Sequence, residues 1–93
     1  MKVLFNEAAR DDILRIHDYI HQHNPAAAAR VVASIQQSTN RLGSFPYSGR
    51  SGGVVGTREV VVPQLPYIVV YQITPEHIEV IAVFHAAENR PRG

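Results

Sequence analysis

Apolar positions along the chain change their period twice, and the changes predict six elements. Residues 3–5, Val3-Leu4-Phe5, form a short apolar, β-prone run and predict a first strand. Asn6 follows as a helix cap, with Glu7 in the first turn, where negative charge is favoured. Ile13, Ile16 and Ile20 recur at helical spacing among Asp11, Asp12, Arg15 and Asp18. That spacing predicts an amphipathic helix ending near His23. Asn24-Pro25 stops this helix and opens another, because proline disfavours α geometry in the residue before it and is tolerated at a first helical position. Val31, Ile35, Thr39 and Leu42 mark the inward stripe of the second helix, which should run roughly 27 Å at 1.5 Å per residue. Gly43 is expected to be its left-handed cap, with Pro46 preventing continuation. So short a link between the helices makes an antiparallel hairpin.

After a Gly/Ser-rich connection over residues 45–56 the period drops to two. Residues 58–62, 67–73 and 77–85 read as strands, separated by Pro63-Gln64-Leu65-Pro66 and by Thr74-Pro75-Glu76. Links this short require antiparallel neighbours. The expected fold class is α+β: a helical hairpin packed on a small antiparallel sheet, in the order β-α-α-β-β-β. With 93 residues, the chain is one domain over residues 1–93.

Alternation assigns faces to the strands. Tyr67, Val69, Tyr71 and Ile73 share one face, as do Ile78, Val80, Ala82 and Phe84, and these apolar sets are expected to meet the helices. Gln72 and Glu79 then place the other face toward water. That face still carries Val61, Ile68, Val70, Ile81 and Val83. An apolar patch of this kind on a solvated sheet face predicts a foreign protein partner, ahead of a second copy of this chain or coverage by the chain's own tail.

Composition narrows the possibilities. Nine basic and eight acidic residues leave a net charge of +1, which argues against a general nucleic-acid binder, and no direct sequence-specific DNA binding by this chain is expected. There is no cysteine, so neither a disulfide framework nor a thiolate zinc site is possible. His17 and His21 share a helix face, but no third ligand is evident, and no metal or other cofactor is expected. Gly49, Gly52, Gly53 and Gly56 lack the Lys-Ser or Lys-Thr of a phosphate loop and read as a flexible connection. The spacing of Asp11, Asp12 and Asp18 puts them on the helix exterior as solvating charges. The start of the chain lacks a secretory apolar run, and no stretch approaches the ~18 residues of a membrane span. The expected location is the cytoplasm.

Several local signatures occur in order along nearly the whole chain. They are Ile16-His17-Asp18-Tyr19-Ile20, Asn24-Pro25-Ala26-Ala27-Ala28, Phe45-Pro46-Tyr47-Ser48-Gly49-Arg50, Arg58-Glu59-Val60-Val61-Val62, Pro66-Tyr67-Ile68-Val69-Val70-Tyr71 and Val80-Ile81-Ala82-Val83-Phe84-His85. With the element order, they resemble the RelE/ParE toxins of bacterial type II toxin–antitoxin pairs. The resemblance implies a small poison neutralised by a cognate antitoxin. It also implies one of two actions: ribosome-dependent messenger RNA cleavage in the RelE branch, or poisoning of DNA gyrase without catalysis in the ParE branch.

RNA cleavage through the 2′-hydroxyl needs a proton acceptor, cations around the phosphate and an acid for the leaving oxygen. The positions expected to carry basic groups on the open sheet face hold Glu59, Val61, Ile68 and Ala86, and the only lysine is Lys2. The ParE branch is therefore favoured, and no catalytic residue is assigned. The alternative RNase would use Arg58, Tyr71, His85 and Arg90. In the favoured reading Arg58, Arg90 and Arg92 contact the target, and Val61, Ile68, Val70, Ile81 and Val83 bind the antitoxin. A homodimer or a toxin–antitoxin hetero-oligomer fits either branch, as does a non-toxic homologue that only binds a partner.

Overall fold

Two asparagine caps start the helices where the sequence places them. The computed structural model describes residues 1–88. Strand β1 (Lys2–Phe5) leads to Asn6, whose side-chain oxygen accepts from the Ala9 N–H at 2.8 Å, and helix α1 runs Glu7–His21. Asn24 accepts from the Ala27 N–H at 3.0 Å, and helix α2 runs Pro25–Ser44. Between them the N–H groups of His23 and Asn24 both donate to Ile20 O, which closes the hairpin in three residues.

Gly43 has a different role from the left-handed cap expected of it. It lies within the last turn of α2, whose cap is Phe45, and its φ is not positive. Glycine is needed there for a close approach: an added Cβ would stand 2.6 Å from the carbonyl oxygen of Met1. The Met1 ammonium donates to Gly43 O at 2.6 Å, which ties the start of β1 to the end of α2.

The sheet has five strands. A two-residue strand, β2 (Arg50–Ser51), lies inside the expected connection, followed by β3 (Arg58–Val61), β4 (Tyr67–Ile73) and β5 (His77–His85). The spatial order is β1-β5-β4-β3-β2. The chain enters at the β2 edge and walks back by antiparallel pairings, so β5 arrives beside β1 pointing the same way. The sheet is thus mixed, and the expected α+β plan and order β-α-α-β-β-β stand. Its core combines Ala9 of α1, Ile35 and Leu42 of α2, Val69 and Tyr71 of β4, and Ile78 and Val80 of β5.

One irregularity overturns part of the face assignment. Tyr71 pairs with Val80, but Val70 pairs with Ala82, so Ile81 is an extra residue in β5. A bulge of this kind reverses the alternation beyond it. Ile78 and Val80 face the helices as expected. Past Ile81, Val83 joins them and is 2% exposed, while Phe84 pairs with Ile68 on the opposite face. Val83 therefore does not belong to the partner-binding patch, and Phe84 is not on the helix side.

The same segment explains a buried charge. β1 pairs with β5 only as far as Val80, and the next donor, Asn6 N, also goes to Val80 O. Among the described residues no strand lies beside the edge of β5 beyond that point. Asp12 fills the gap: its Oδ2 accepts from the Val83 N–H at 2.9 Å, and its Oδ1 accepts from Arg15. The carboxylate is 5% exposed, which corrects its placement on the helix exterior. Helical spacing alone counted it as polar and therefore outward. It is inward because a backbone donor there needs an acceptor.

Asp12→Ala should destabilise the fold by about 2–4 kcal/mol, because it orphans the Val83 N–H and removes a charge-assisted bond. Asp12→Asn should recover part of that loss by keeping an acceptor. Urea unfolding midpoints of the two variants measure both effects, and a near-neutral Asp12→Ala would show that the carboxylate is dispensable.

Candidate functional site

The sheet face turned away from the helices is built from alternate residues of β3, β4 and β5. It displays Glu59, Val61, Ile68, Val70, Gln72, Glu79, Ala82 and Phe84, with Ile81 at the bulge. One end is polar: Gln72 Nε2 donates to Glu79 Oε1 at 3.0 Å. Glu59 is buried, and its carboxylate accepts from Arg50 Nη2 and from the Gly53 N–H, each at 3.4 Å. The apolar part is smaller than expected. Val61 is 50% exposed, and Val70 and Ile81 are half-buried, whereas Ile68 is 5% exposed and offers a partner little surface.

A segment of the connection supplies what strand alternation missed. Gly52 N donates to Thr57 O at 2.8 Å and Thr57 N to Val54 O at 3.1 Å, and Gly56 turns the chain with φ +87°. This turn holds Val54 and Val55 beside Val70, Ile81 and Ala82, around a cavity of about 380 Å³. Val55 is fully exposed. The available signal was two adjacent valines between the pair Gly52-Gly53 and Gly56, a poor composition for a purely flexible link.

Of the residues proposed for RNA cleavage, the three that the structure describes, Arg58, Tyr71 and His85, do not converge. Tyr71 is fully buried, and its hydroxyl donates to Pro46 O at 2.8 Å while accepting from the Gly49 N–H at 3.0 Å. A Cβ on Gly49 would stand 2.6 Å from that hydroxyl, so glycine is required for the clamp. Arg58 pairs with Tyr71 across β3 and β4 and turns to the same loop. Its Nη1 donates to Gly49 O at 2.7 Å, and its Cζ lies 4.8 Å above the Tyr47 ring. Neither group faces the open side of the sheet.

His85 pairs with Tyr67, four residues from Tyr71 along β4 and therefore roughly 13 Å away at about 3.3 Å per residue. Its ring meets Tyr67 edge-on at 5.4 Å. Its Nδ1 accepts from the Ala87 N–H at 3.0 Å, which places the proton of the neutral ring on Nε2. In this arrangement Nε2 is a donor and not a base. The His85 N–H donates to Glu88 Oε1 at 2.9 Å. These groups, with Asp12, Arg15, Ile16, Tyr19 and Val83, line a cleft of about 320 Å³ on the helix side. Arg90 and Arg92 lie outside the described residues.

Among the described residues no group of three His, Asp or Glu side chains is placed to hold a metal ion. His17 and His21 stack loosely at 5.3 Å, and His17 Nδ1 meets Asp18 Oδ1 at 3.0 Å. Among the same residues no helix is long and apolar enough to cross a membrane.

A helical hairpin packed on a five-strand mixed sheet with a partly apolar open face defines a small α+β domain. Comparisons with known proteins make the class specific. The family model for the ParE toxin of the type II toxin–antitoxin system parDE matches residues 3–90. The toxin Y4kP of Sinorhizobium fredii is 42% identical over 74 residues, covering 80% of this chain and 76% of that protein. Toxin RelE2 of Caulobacter vibrioides is 30% identical over 86 residues, covering 92% and 96%. Among solved structures, the chromosomal ParDE system from P. aeruginosa matches with a TM-score of 0.83 at 19% identity, over 91% of this chain and 95% of that one. The intact E. coli RelBE toxin–antitoxin complex matches with a TM-score of 0.69 at 16% identity, over 94% and 98%. The chain belongs to the ParE toxin family, within the RelE/ParE superfamily of type II toxins.

Burial, with smaller contributions from Tyr19 and Glu88, raises the pKa of the Tyr67 hydroxyl above its ordinary value of 10.0. The folded state therefore disfavours the phenolate. The stability held by neutral Tyr67 is complete below pH 10.0 and is lost as pH rises through the folded value. Tyr67→Phe should flatten that alkaline loss in unfolding experiments, and an unchanged pH profile would exclude Tyr67 as its source. Tyr71→Phe should cost about 1–2 kcal/mol by removing the clamp on Pro46 and Gly49. Amide exchange at Gly49 should rise with it, and unaltered protection there would show that the loop holds without the hydroxyl.

Proposed function

We propose that this toxin acts by binding rather than by catalysis, that its target is DNA gyrase, and that a cognate antitoxin silences it by covering the open sheet face. The observation that carries the reading is the dispersal of the groups an RNA-cleaving site would need. Tyr71 is buried with its hydroxyl saturated, Arg58 is folded onto Tyr47 and Gly49, and His85 presents a donor on the other side of the sheet's open face. The open face itself carries Glu59 where a phosphate would need a cation. Gyrase is the target that membership of the ParE branch supports.

The antitoxin is assigned to Val61, Val70 and Ile81, joined by Val54 and Val55 of the neighbouring turn. Relatives of this fold solved as ParDE and RelBE systems support a protein partner. A segment that folds on binding gains affinity from such apolar anchors.

Purified toxin should inhibit gyrase supercoiling and leave ribosome-bound messenger RNA intact. Codon-linked cuts in primer extension, with supercoiling unaffected, would replace this reading with the RNase one. Val61→Asp places a charge on an exposed apolar position and should weaken antitoxin binding at least tenfold, about 1.4 kcal/mol, with the fold preserved. Ile68 is a poorer probe, because a charge at so buried a position perturbs folding and binding together. Unchanged antitoxin affinity in Val61→Asp would remove this face from the interface.

A further inference from the structure

The net charge of +1 conceals a segregated distribution. From Tyr19 to Arg58 the chain contains no aspartate or glutamate, yet it contains Arg30, Arg41, Arg50 and Arg58. The fold sends these four in different directions. Arg30 is in the first half of α2, and Arg50 reaches the buried Glu59 carboxylate. Arg41, in the last turn of α2, and Arg58, at the start of β3, flank the loop that follows α2.

That loop exposes two aromatic rings. Phe45 is 61% and Tyr47 70% exposed. Arg58 lies over the Tyr47 ring, and Arg41 borders the hollow formed by Phe45, Pro46, Tyr47 and Ser48. Large aromatics with arginines are the composition of binding hot spots, and exposing two of them in one loop has no folding rationale.

The loop is also held rigid. Tyr71 grips it at Pro46 O and Gly49 N, Arg58 grips it at Gly49 O, and Ser48 N donates to Phe45 O at 3.1 Å. A buried tyrosine thus fixes both flanks of an exposed one. Rings fixed in advance lose little conformational freedom on docking, which raises affinity without adding contacts.

We propose that Arg41, Phe45, Tyr47 and Arg58 form the target-binding surface, and that they receive an acidic, partly apolar surface of the protein the toxin inhibits. This rests on the reading of the chain as a binding toxin. A protein fits better than a nucleic acid, because among the described residues only two arginines flank the rings and no lysine is near, whereas affinity for a phosphate backbone grows with the number of phosphates neutralised. The inhibited protein fits better than the antitoxin, because Arg58 points to the helix side of β3 while the apolar face assigned to the antitoxin is on the other side.

The test is the full-length double variant Arg41→Glu/Tyr47→Ala, both positions exposed, alongside Phe45→Ser. Three measurements are made: growth arrest on induction, gyrase supercoiling with purified toxin, and affinity for the cognate antitoxin. Growth arrest should be lost and gyrase inhibition should need at least tenfold more protein, with antitoxin affinity within threefold and the urea midpoint near wild type. Full toxicity in both variants overturns the proposal. So does a tenfold loss of antitoxin affinity, which gives the surface to the antitoxin, or wild-type binding of a single-stranded oligonucleotide that the variants abolish. Wild-type growth arrest without gyrase inhibition, abolished by the variants, keeps this surface and removes gyrase as the target. A wild-type chain that does not arrest growth overturns both readings.

Discussion

The extra residue at Ile81 decides what each half of β5 does. Before it, Ile78 and Val80 face the helices and β1 runs alongside. After it, the helix-facing set is Val83 and His85, and among the described residues no strand covers the edge. Two carboxylates take that strand's place, Asp12 from α1 at the Val83 N–H and Glu88 from the following turn at the His85 N–H. An exposed strand edge invites further pairing, and acidic side chains bonded to its donors block it. The buried charge at Asp12, the cleft beside Tyr67 and the orientation of His85 all follow from one irregular pairing.

Tyr71 plays a comparable part at the other end of β4. Its ring fills the core, and its hydroxyl leaves the core to hold Pro46 and Gly49. A buried phenol needs a hydrogen-bond partner, so the loop satisfies the tyrosine while the tyrosine orders the loop. If the loop is the target surface proposed above, substitutions at Tyr71 would act through loop disorder, which makes loss of activity at this position a poor sign of catalysis.

Periodicity revealed most of the fold, because most of it obeys a simple period. The predicted strand over 67–73, the strand over 77–85 and both asparagine caps coincide with those observed. The failures share a cause: a backbone group made a demand that side-chain pattern does not encode. Alternation placed Val83 outward because nothing in Val80-Ile81-Ala82-Val83 announces a bulge. Asp12 counted as solvent-facing because the orphaned donor it serves is 71 residues away. Gly43 looked like a cap because the approach of Met1 O is a tertiary contact. Family likeness supplied the functional class, and of the target contacts proposed with it, Arg58, Arg90 and Arg92, Arg58 alone lies among the described residues. The aromatic loop was legible as Phe45-Pro46-Tyr47, but exposure of both rings depends on where Tyr71 holds them.

The two assigned surfaces lie on opposite sides of β3, yet they are not independent. Val61, exposed on the open face, borders a cleft of about 250 Å³ that Arg41, Phe45 and Ser48 border from the other side. β2 pairs with β3 only at Arg58 and Glu59, so nothing from β2 separates the surfaces at Val61. An antitoxin segment anchored on Val61 would crowd the rim of the aromatic loop from the Val61 side of that cleft. Neutralisation then needs no change in the toxin's shape. On the two proposed surfaces, occupying the shared rim would exclude the target with the toxin rigid in both complexes.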